Sequence, residues 1–211
     1  KQEQLEQLNS GVSKTVTDPV YTPDPSGGYT VSDLITGYGV AKAAEHFYHT
    51  QGLDLADQRF IVQGWGNVSA SAAYYIAANG GKISGIIDQH GGLIRPEGLS
   101  FEAVKDCFMQ KAHNHLNPRH QELSYQALQE RIWDLPADAL IPGAASHLLQ
   151  QSQLERLQQA GLQTIVCGAN VPFADEQIFY GPVAEWADQH FAVIPDFVAT
   201  LGMARVFAYL M

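Results

Sequence analysis

Apolar positions along the chain follow two rhythms. Short runs that are apolar without strict alternation occur in RFIVQG (59–64), KISGIID (82–88), DALIPGAA (138–145), QTIVCGAN (163–170) and FAVIPD (191–196), and each closes on small residues, a Pro or an acid. Such runs fit strands buried on both faces, and they place five strands near 60–63, 83–87, 139–141, 164–167 and 191–194. Between them lie segments with helical spacing. GVAKAAEHFYHTQG (39–52) puts Val40, Ala43, Ala44 and Phe47 on one face and stops at Gly52. NVSASAAYYIAANGG (67–81) is a small-residue helix closed by a glycine pair, and SFEAVKDCFMQKAHNHL (100–116) opens on Ser100 as an N-cap. LLQQSQLERLQQAG (148–161) is predicted helical, as is ADEQIFYGPVAEWADQH (174–190) with an interruption at Gly181-Pro182; VATLGMARVFAYLM (198–211) is an apolar helix running to the last residue.

The remaining stretches are polar. Residues 1–10 have the pattern of a short polar helix, and 11–33, with TPDPSGGY inside it, reads as an extended linker or loop. The segment 113–132, which carries His113, His115 and His120, is expected to be a loop followed by a helix such as SYQALQERI (124–132). Strands alternating with helices imply a doubly wound α/β domain with a parallel sheet, helices on both faces and ligands at the carboxyl ends of the strands. The expected division is an N-terminal helix and linker over 1–33, then one domain over 34–211.

Composition narrows the partners. The 211 residues are 45% hydrophobic with a net charge of −10, which disfavours nucleic acid as a partner because a phosphate backbone needs a basic face. No run approaches the roughly 18 apolar residues of a membrane span. Cys107 and Cys167 lack ligand-like spacing, so they are expected as two thiols in a reducing cytosol, and no residue is assigned to a metal. The sequence opens on Lys1, which suggests a fragment or a processed form.

The candidate chemistry is dinucleotide binding. In FIVQGWGNVSAS (60–71), Gly64 ends a strand and Asn67 starts a helix, the context of a pyrophosphate-binding turn. Gly64 permits the turn, Gly66 lets a phosphate approach the backbone, and Ser69 takes the helix-packing position, its hydroxyl able to bond back to the previous helical turn. Asp88 ends the next strand 22 residues after Gly66, close to the spacing of about 20 for an acid that binds the adenosine ribose. A carboxylate there repels a 2′-phosphate and so favours NAD over NADP, although a protonated His90 would serve a phosphate. Small residues follow the later strands too, and Asn170 offers an amide to a ribose or carboxamide.

TGYGV (36–40), GWGNV (64–68), DQHGGLIRPEGL (88–99), ADALIPGA (137–144), GANVP (168–172) and PDFVATLG (195–202), taken in order, resemble the nucleotide-binding domain of the glutamate/leucine/phenylalanine/valine dehydrogenases over about residues 28–202. The resemblance implies a Rossmann-type fold and, in the full-length enzyme, NAD(P)-dependent oxidative deamination of an L-amino acid to a 2-oxo acid in a homo-oligomer. It assigns Thr36 to the nicotinamide carboxamide, Gly64, Gly66, Asn67 and Val68 to the pyrophosphate and ribose turn, Asp88 to the adenosine ribose, and Ala144 and Asn170 to the nicotinamide half. It also implies a separate N-terminal catalytic domain, bearing a glycine-rich segment with an activating lysine. None of Lys1, Lys14, Lys42, Lys82, Lys105 and Lys111 lies in such a segment, so no catalytic residue is assigned and the chain alone is expected to be inactive. Cys167 stands where the family has an acid, and Thr200–Met203 replace an Asn and a glycine pair. These departures keep open a non-catalytic nucleotide-binding sensor or assembly module derived from the family.

Overall fold

The computed structural model describes residues 2–176 and 180–210. The strands are β1 (Arg59–Gln63), β2 (Lys82–Asp88), β3 (Gly91–Leu99), β4 (Leu123–Ser124), β5 (Ala139–Pro142), β6 (Thr164–Val166) and β7 (Ala192–Ile194). They form one sheet in the order β4-β3-β2-β1-β5-β6-β7. The five strands expected from the sequence pair parallel to one another. β3 and β4 add an antiparallel edge that the apolar pattern did not reveal. The reason is visible in GGLIRPEGL: only its first three residues are buried, and its far end is exposed and interrupted by Pro96 and Gly98. The run therefore carries no continuous apolar signal, and a turn of two residues, Gln89 and His90, fixes its pairing with β2.

The helices are α1 (Gln2–Val12), α2 (Val31–Thr50), α3 (Asn67–Ala78), α4 (Phe101–Met109), α5 (Tyr125–Arg131), α6 (Gln151–Gln159), α7 (Pro182–His190), α8 (Asp196–Ala199) and α9 (Leu201–Leu210). Side chains alternate across the central strands, because successive Cβ atoms of a strand point to opposite faces. Phe60, Val62, Ile86, Ile141 and Val166 meet α2, α3 and α4 in one core. Ile61, Ile87, Leu140 and Ile165 meet α5, α6 and α7 in the other. Each such buried aliphatic side chain contributes roughly 1.5–3 kcal/mol. α3 is built of small residues for a packing reason: a Cβ on Gly37 of α2 would stand 1.9 Å from Ser71 Oγ and 2.5 Å from the Val68 carbonyl oxygen. The two helices cross almost backbone to backbone at this point.

Several boundaries differ from the sequence expectation. The helix expected over 174–190 begins only at Pro182: Ala174–Glu176 are not helical, and 177–179 lie outside the described residues. Proline suits the first helical position, and the Asp175 carboxylate accepts the Val183 and Ala184 N–H groups at 2.7 and 2.9 Å, capping the helix where it starts. The C-terminal helix divides at Thr200 into α8 and α9, and its expected last residue, Met211, lies outside the described residues. Residues 13–30 are held against the domain: Thr15 bridges Thr30, Val16 and Tyr29 pack on the first core, and the Tyr75 hydroxyl donates to the Tyr21 carbonyl at 2.5 Å. No helix among the described residues is long and apolar enough to cross a membrane.

Both thiols are buried, Cys107 on α4 and Cys167 just past the end of β6. Burial pushes the Cys107 thiol up to about 11 and raises Cys167 further. A raised folded value means that stability is intact below the unfolded thiol value, about 8.5, and declines as pH rises from there towards the folded values. Two outcomes are expected. A disulfide-exchange reagent such as DTNB at pH 8 should label neither cysteine in the native protein and both after denaturation. The denaturation midpoint should fall steadily above about pH 8.5, and less so in a Cys167→Ser/Cys107→Ser protein.

Candidate functional site

The carboxyl ends of β1, β2 and β5 open on one cleft of about 740 Å³. β1 has β2 on one side and β5 on the other, so the chain leaves these strands in opposite directions and a crevice forms between the loops. The cleft is walled by residues 63–68, 87–89 and 143–145, with Asn114, His115, Tyr125, Gln129 and Leu148 at its margin.

The turn from β1 to α3 forms its floor. Gly64 has φ of +89°, and a Cβ there would stand 2.6 Å from Ala144 Cα, so only glycine fits. Trp65 is fully buried, its Nε1 donating to the Cys107 carbonyl at 3.1 Å and tying the turn to α4. Gly66 caps α3 without a side-chain hydrogen bond, and a Cβ on it would meet nothing within 4 Å. The first intrahelical bond is from Ala70 N–H to the Gly66 carbonyl. The N–H groups of Asn67, Val68 and Ser69 therefore have no partner within the helix, an arrangement suited to an anion. Ser69 does occupy the buried packing position, but its hydroxyl donates to the Gln63 carbonyl of β1 at 3.3 Å. Ser71 is the residue that bonds back to the previous turn, to Asn67 and Val68. Ser69 lies one turn too close to the helix start to find a free helical carbonyl behind it, whereas the end of β1 passes directly below.

Asn67 is fixed from both ends. Its Nδ2 donates to Asp33 Oδ1 at 3.2 Å, and its Oδ1 accepts from Lys111 Nζ. Asp33 also accepts the Thr30 N–H and hydroxyl at 2.9 and 2.6 Å, forming the cap of α2. Burial pushes the Lys111 ammonium below the usual lysine value, and the Asp33 charge opposes that shift. Lys111 was not distinguishable in the sequence: it follows α4 by two residues, and only the turn of the chain after α4 brings it to the head of α3.

Asp88 is buried at 6% exposure at the tip of β2. Its Oδ2 accepts the Leu116 N–H at 2.8 Å, and His115 Nδ1 stands 3.6 Å away. Its Oδ1 makes no hydrogen bond among the described residues, and the residue lines the cleft. The carboxylate thus pins the 110–120 loop with one oxygen and keeps the other for the cleft. The polar, histidine-bearing character of 113–120 was visible in the sequence; its approach to Asp88 was not.

On the opposite side, the loops after β5, β6 and β7 are bonded together. His147 and Val171 both adopt positive φ, 59° and 46°, a conformation that costs a non-glycine residue roughly 1–3 kcal/mol. They are held there by each other and by α8: His147 N–H donates to the Val171 carbonyl at 2.9 Å, and Val171 N–H donates to Asp196 Oδ2 at 3.0 Å. Ser146 Oγ donates to the Asn170 carbonyl at 2.6 Å.

Of the residues singled out in the sequence, Gly64, Gly66, Asn67, Val68, Asp88 and Ala144 come together in this cleft. Thr36 and Asn170 do not line it. Thr36 is half-buried on α2, and Asn170 is exposed, with its side-chain amide free of hydrogen bonds among the described residues.

Comparison with known proteins gives the family and the fold. The sequence profile described as Glutamate/Leucine/Phenylalanine/Valine dehydrogenase matches residues 27–203. A glutamate dehydrogenase of Aeropyrum pernix is 31% identical over 186 residues, covering 85% of this chain and 40% of that protein. An NADP-specific glutamate dehydrogenase of a Psychrobacter species is 26% identical, covering 73% of this chain and 35% of the relative. The chain thus spans well under half the length of these relatives. The solved hetero-hexameric glutamate dehydrogenase of Thermus thermophilus, in its leucine-bound form, shares the fold with a TM-score of 0.65 and 24% identity, covering 88% of this chain and 41% of its own. Matched from Gly27 to Met203 and folded around the same kind of parallel sheet, the chain belongs to the glutamate/leucine/phenylalanine/valine dehydrogenase family.

Proposed function

We propose that the chain is the dinucleotide-binding domain of an NAD-dependent amino acid dehydrogenase that oxidatively deaminates an L-amino acid to a 2-oxo acid. The observation that carries this reading is the head of α3: unpartnered N–H groups, a glycine whose missing Cβ leaves open space, and a free carboxylate oxygen on Asp88 in the same cleft. Gly64, Gly66, Asn67 and Val68 hold the pyrophosphate, Asp88 takes the adenosine ribose hydroxyls through Oδ1, and Ala144 borders the nicotinamide side. Thr36 is carried by the family resemblance alone, and Asn170 by that resemblance and by the amide it offers to a ribose or carboxamide. A bound dinucleotide supplies the hydride acceptor, and the chain's residues bind and orient it.

Relatives bear both NAD-specific and NADP-specific names, and the preference for NAD rests on Asp88, whose negative charge faces the position of a 2′-phosphate. In this reading the acid–base residues belong to a catalytic domain outside the 211 residues, and the working enzyme is a cytoplasmic homo-oligomer. The lysines of this chain support that division: Lys42 is paired with Glu45 and Lys111 with Asn67, neither within a glycine-rich segment.

Calorimetric titration of the protein with NADH should give saturable binding, and its absence would end this reading. Two glycine variants separate binding from folding. Gly66→Ala should keep the wild-type melting temperature, yet weaken NADH by about ten- to a hundredfold, the equivalent of the roughly 1–3 kcal/mol of an overpacked contact. Gly64→Ala should instead lower the melting temperature, because its methyl meets Ala144 backbone at a left-handed φ. Asp88→Asn keeps an acceptor for the Leu116 N–H while removing the charge, so it should weaken NADH more than NADPH; equal losses would show that the acid does not read the ribose.

A further inference from the structure

We propose that Lys111 is the counter-charge for the dinucleotide's pyrophosphate: its ammonium, held beside the head of α3 by Asn67, supplies the positive charge that the glycine turn lacks. The proposal rests on the cleft being a dinucleotide site and adds a residue that sets the affinity of its diphosphate part.

A dinucleotide brings two negative charges to the head of α3. The cleft offers backbone N–H groups there and the Asp88 carboxylate nearby, and no Lys or Arg among the described residues lines it. The chain as a whole carries a net charge of −10. The backbone dipoles of a helix start amount to roughly half a unit of positive charge, less than a single ammonium.

Lys111 is the cation at hand. Its Nζ donates to Asn67 Oδ1, and Asn67 is the first residue of α3 and lines the cleft. Asn114 and His115, on the same loop as Lys111, line the cleft as well. The ammonium is therefore one hydrogen bond away from a residue of the glycine turn. An ammonium has three donors, and that of Lys111 uses one, on a neutral amide, among the described residues. It enters none of the ion pairs among those residues.

Asp33 approaches the same amide from its other end. Its carboxylate is occupied by three donors, the Asn67 amide, the Thr30 N–H and the Thr30 hydroxyl. Asn67 thus stands between a cation and an anion, and its two bonds keep them from closing into a contact pair. The ring of Phe108 lies on another side of the ammonium, its centroid 5.7 Å from Nζ. Burial holds the ammonium below its ordinary value. A charge partly stripped of water, with no anion in contact, gains most when one arrives.

The other cations do not supply this charge. Lys42, Arg59, Arg95, Arg119 and Arg156 are paired with carboxylates. Lys82 opens β2, at the opposite end of that strand from Asp88.

The test is calorimetric binding of ADP-ribose, which carries the pyrophosphate without the nicotinamide, to the wild type and three variants. Lys111→Met keeps the aliphatic stem and should weaken ADP-ribose by about tenfold, the size of one charge–charge contact near a protein surface. Lys111→Arg restores the charge and should recover most of that loss. Lys82→Met removes the same unit of net charge and should change nothing. The advantage of the wild type over Lys111→Met should also shrink as KCl rises from about 0.05 to about 0.5 M, because salt screens a charge and leaves packing alone. A second measurement needs no variant. Acetic anhydride labelling of the wild type, read by mass spectrometry, should show Lys111 protected several-fold by saturating ADP-ribose and Lys82 unaffected. Equal affinities of wild type and Lys111→Met, a loss that Arg does not recover or salt does not reduce, or unprotected Lys111 each overturn the proposal and leave the cleft as a dinucleotide site. If ADP-ribose and NADH both fail to bind the wild type, the site reading itself has failed and this proposal with it.

Discussion

At Gly64 the chain leaves β1 in a left-handed conformation, with the backbone of Ala144 where a side chain would have to stand. Everything about the cleft depends on that contact. It lets the loop after β5 press against the turn after β1, and it sends the chain directly into α3. The same close approach recurs between α2 and α3 at Gly37, so the head of α3 is fixed from below by β1 and from the side by α2. Trp65 secures the turn to α4 by burying an indole between two glycines that have no side chains to bury. A helix N-terminus held this rigidly offers its N–H groups in a preset direction, an arrangement suited to an anion.

The two ends of the cleft are built by different means. On the β2 side a carboxylate, a loop amide, two imidazoles and an amide side chain share hydrogen bonds around the tip of β2. This is a polar edge, and it sits where the sheet changes from parallel to antiparallel. On the β6 side the loops are strained, with His147 and Val171 at positive φ held by backbone bonds and by Asp196. Strain of that kind persists only where the surroundings over-determine it. The Asp196 carboxylate does so from the helix that follows β7, coupling three successive strand ends into one unit.

Much of this was legible along the chain. The five central strands were readable because each is buried on both faces and so leaves an unbroken apolar run. The turn was readable because Gly64 and Gly66 do separate jobs that no other residue does, one conformational and one spatial. Asp88 was readable by its spacing from that turn. The antiparallel edge was not, since β3 is half exposed and β4 has two residues. Nor was the start of α7, because its cap is Asp175, seven residues before Pro182, and that partnership exists only once the loop has folded back.

The sequence by itself determined the five parallel strands and the helical segments between them, the glycine turn and the acid that faces it, since these follow from local backbone sterics and from the burial of both faces of those strands. Only the tertiary structure decided which groups surround the acid. Lys111 lies 44 residues from Asn67, and His115 lies 27 from Asp88, so no local pattern relates them. They meet because the chain after α4 folds back over the tip of β2, where the Asp88 carboxylate is the acceptor available to the buried Leu116 N–H. A buried backbone donor must be satisfied, and in satisfying it the fold places an imidazole beside the carboxylate.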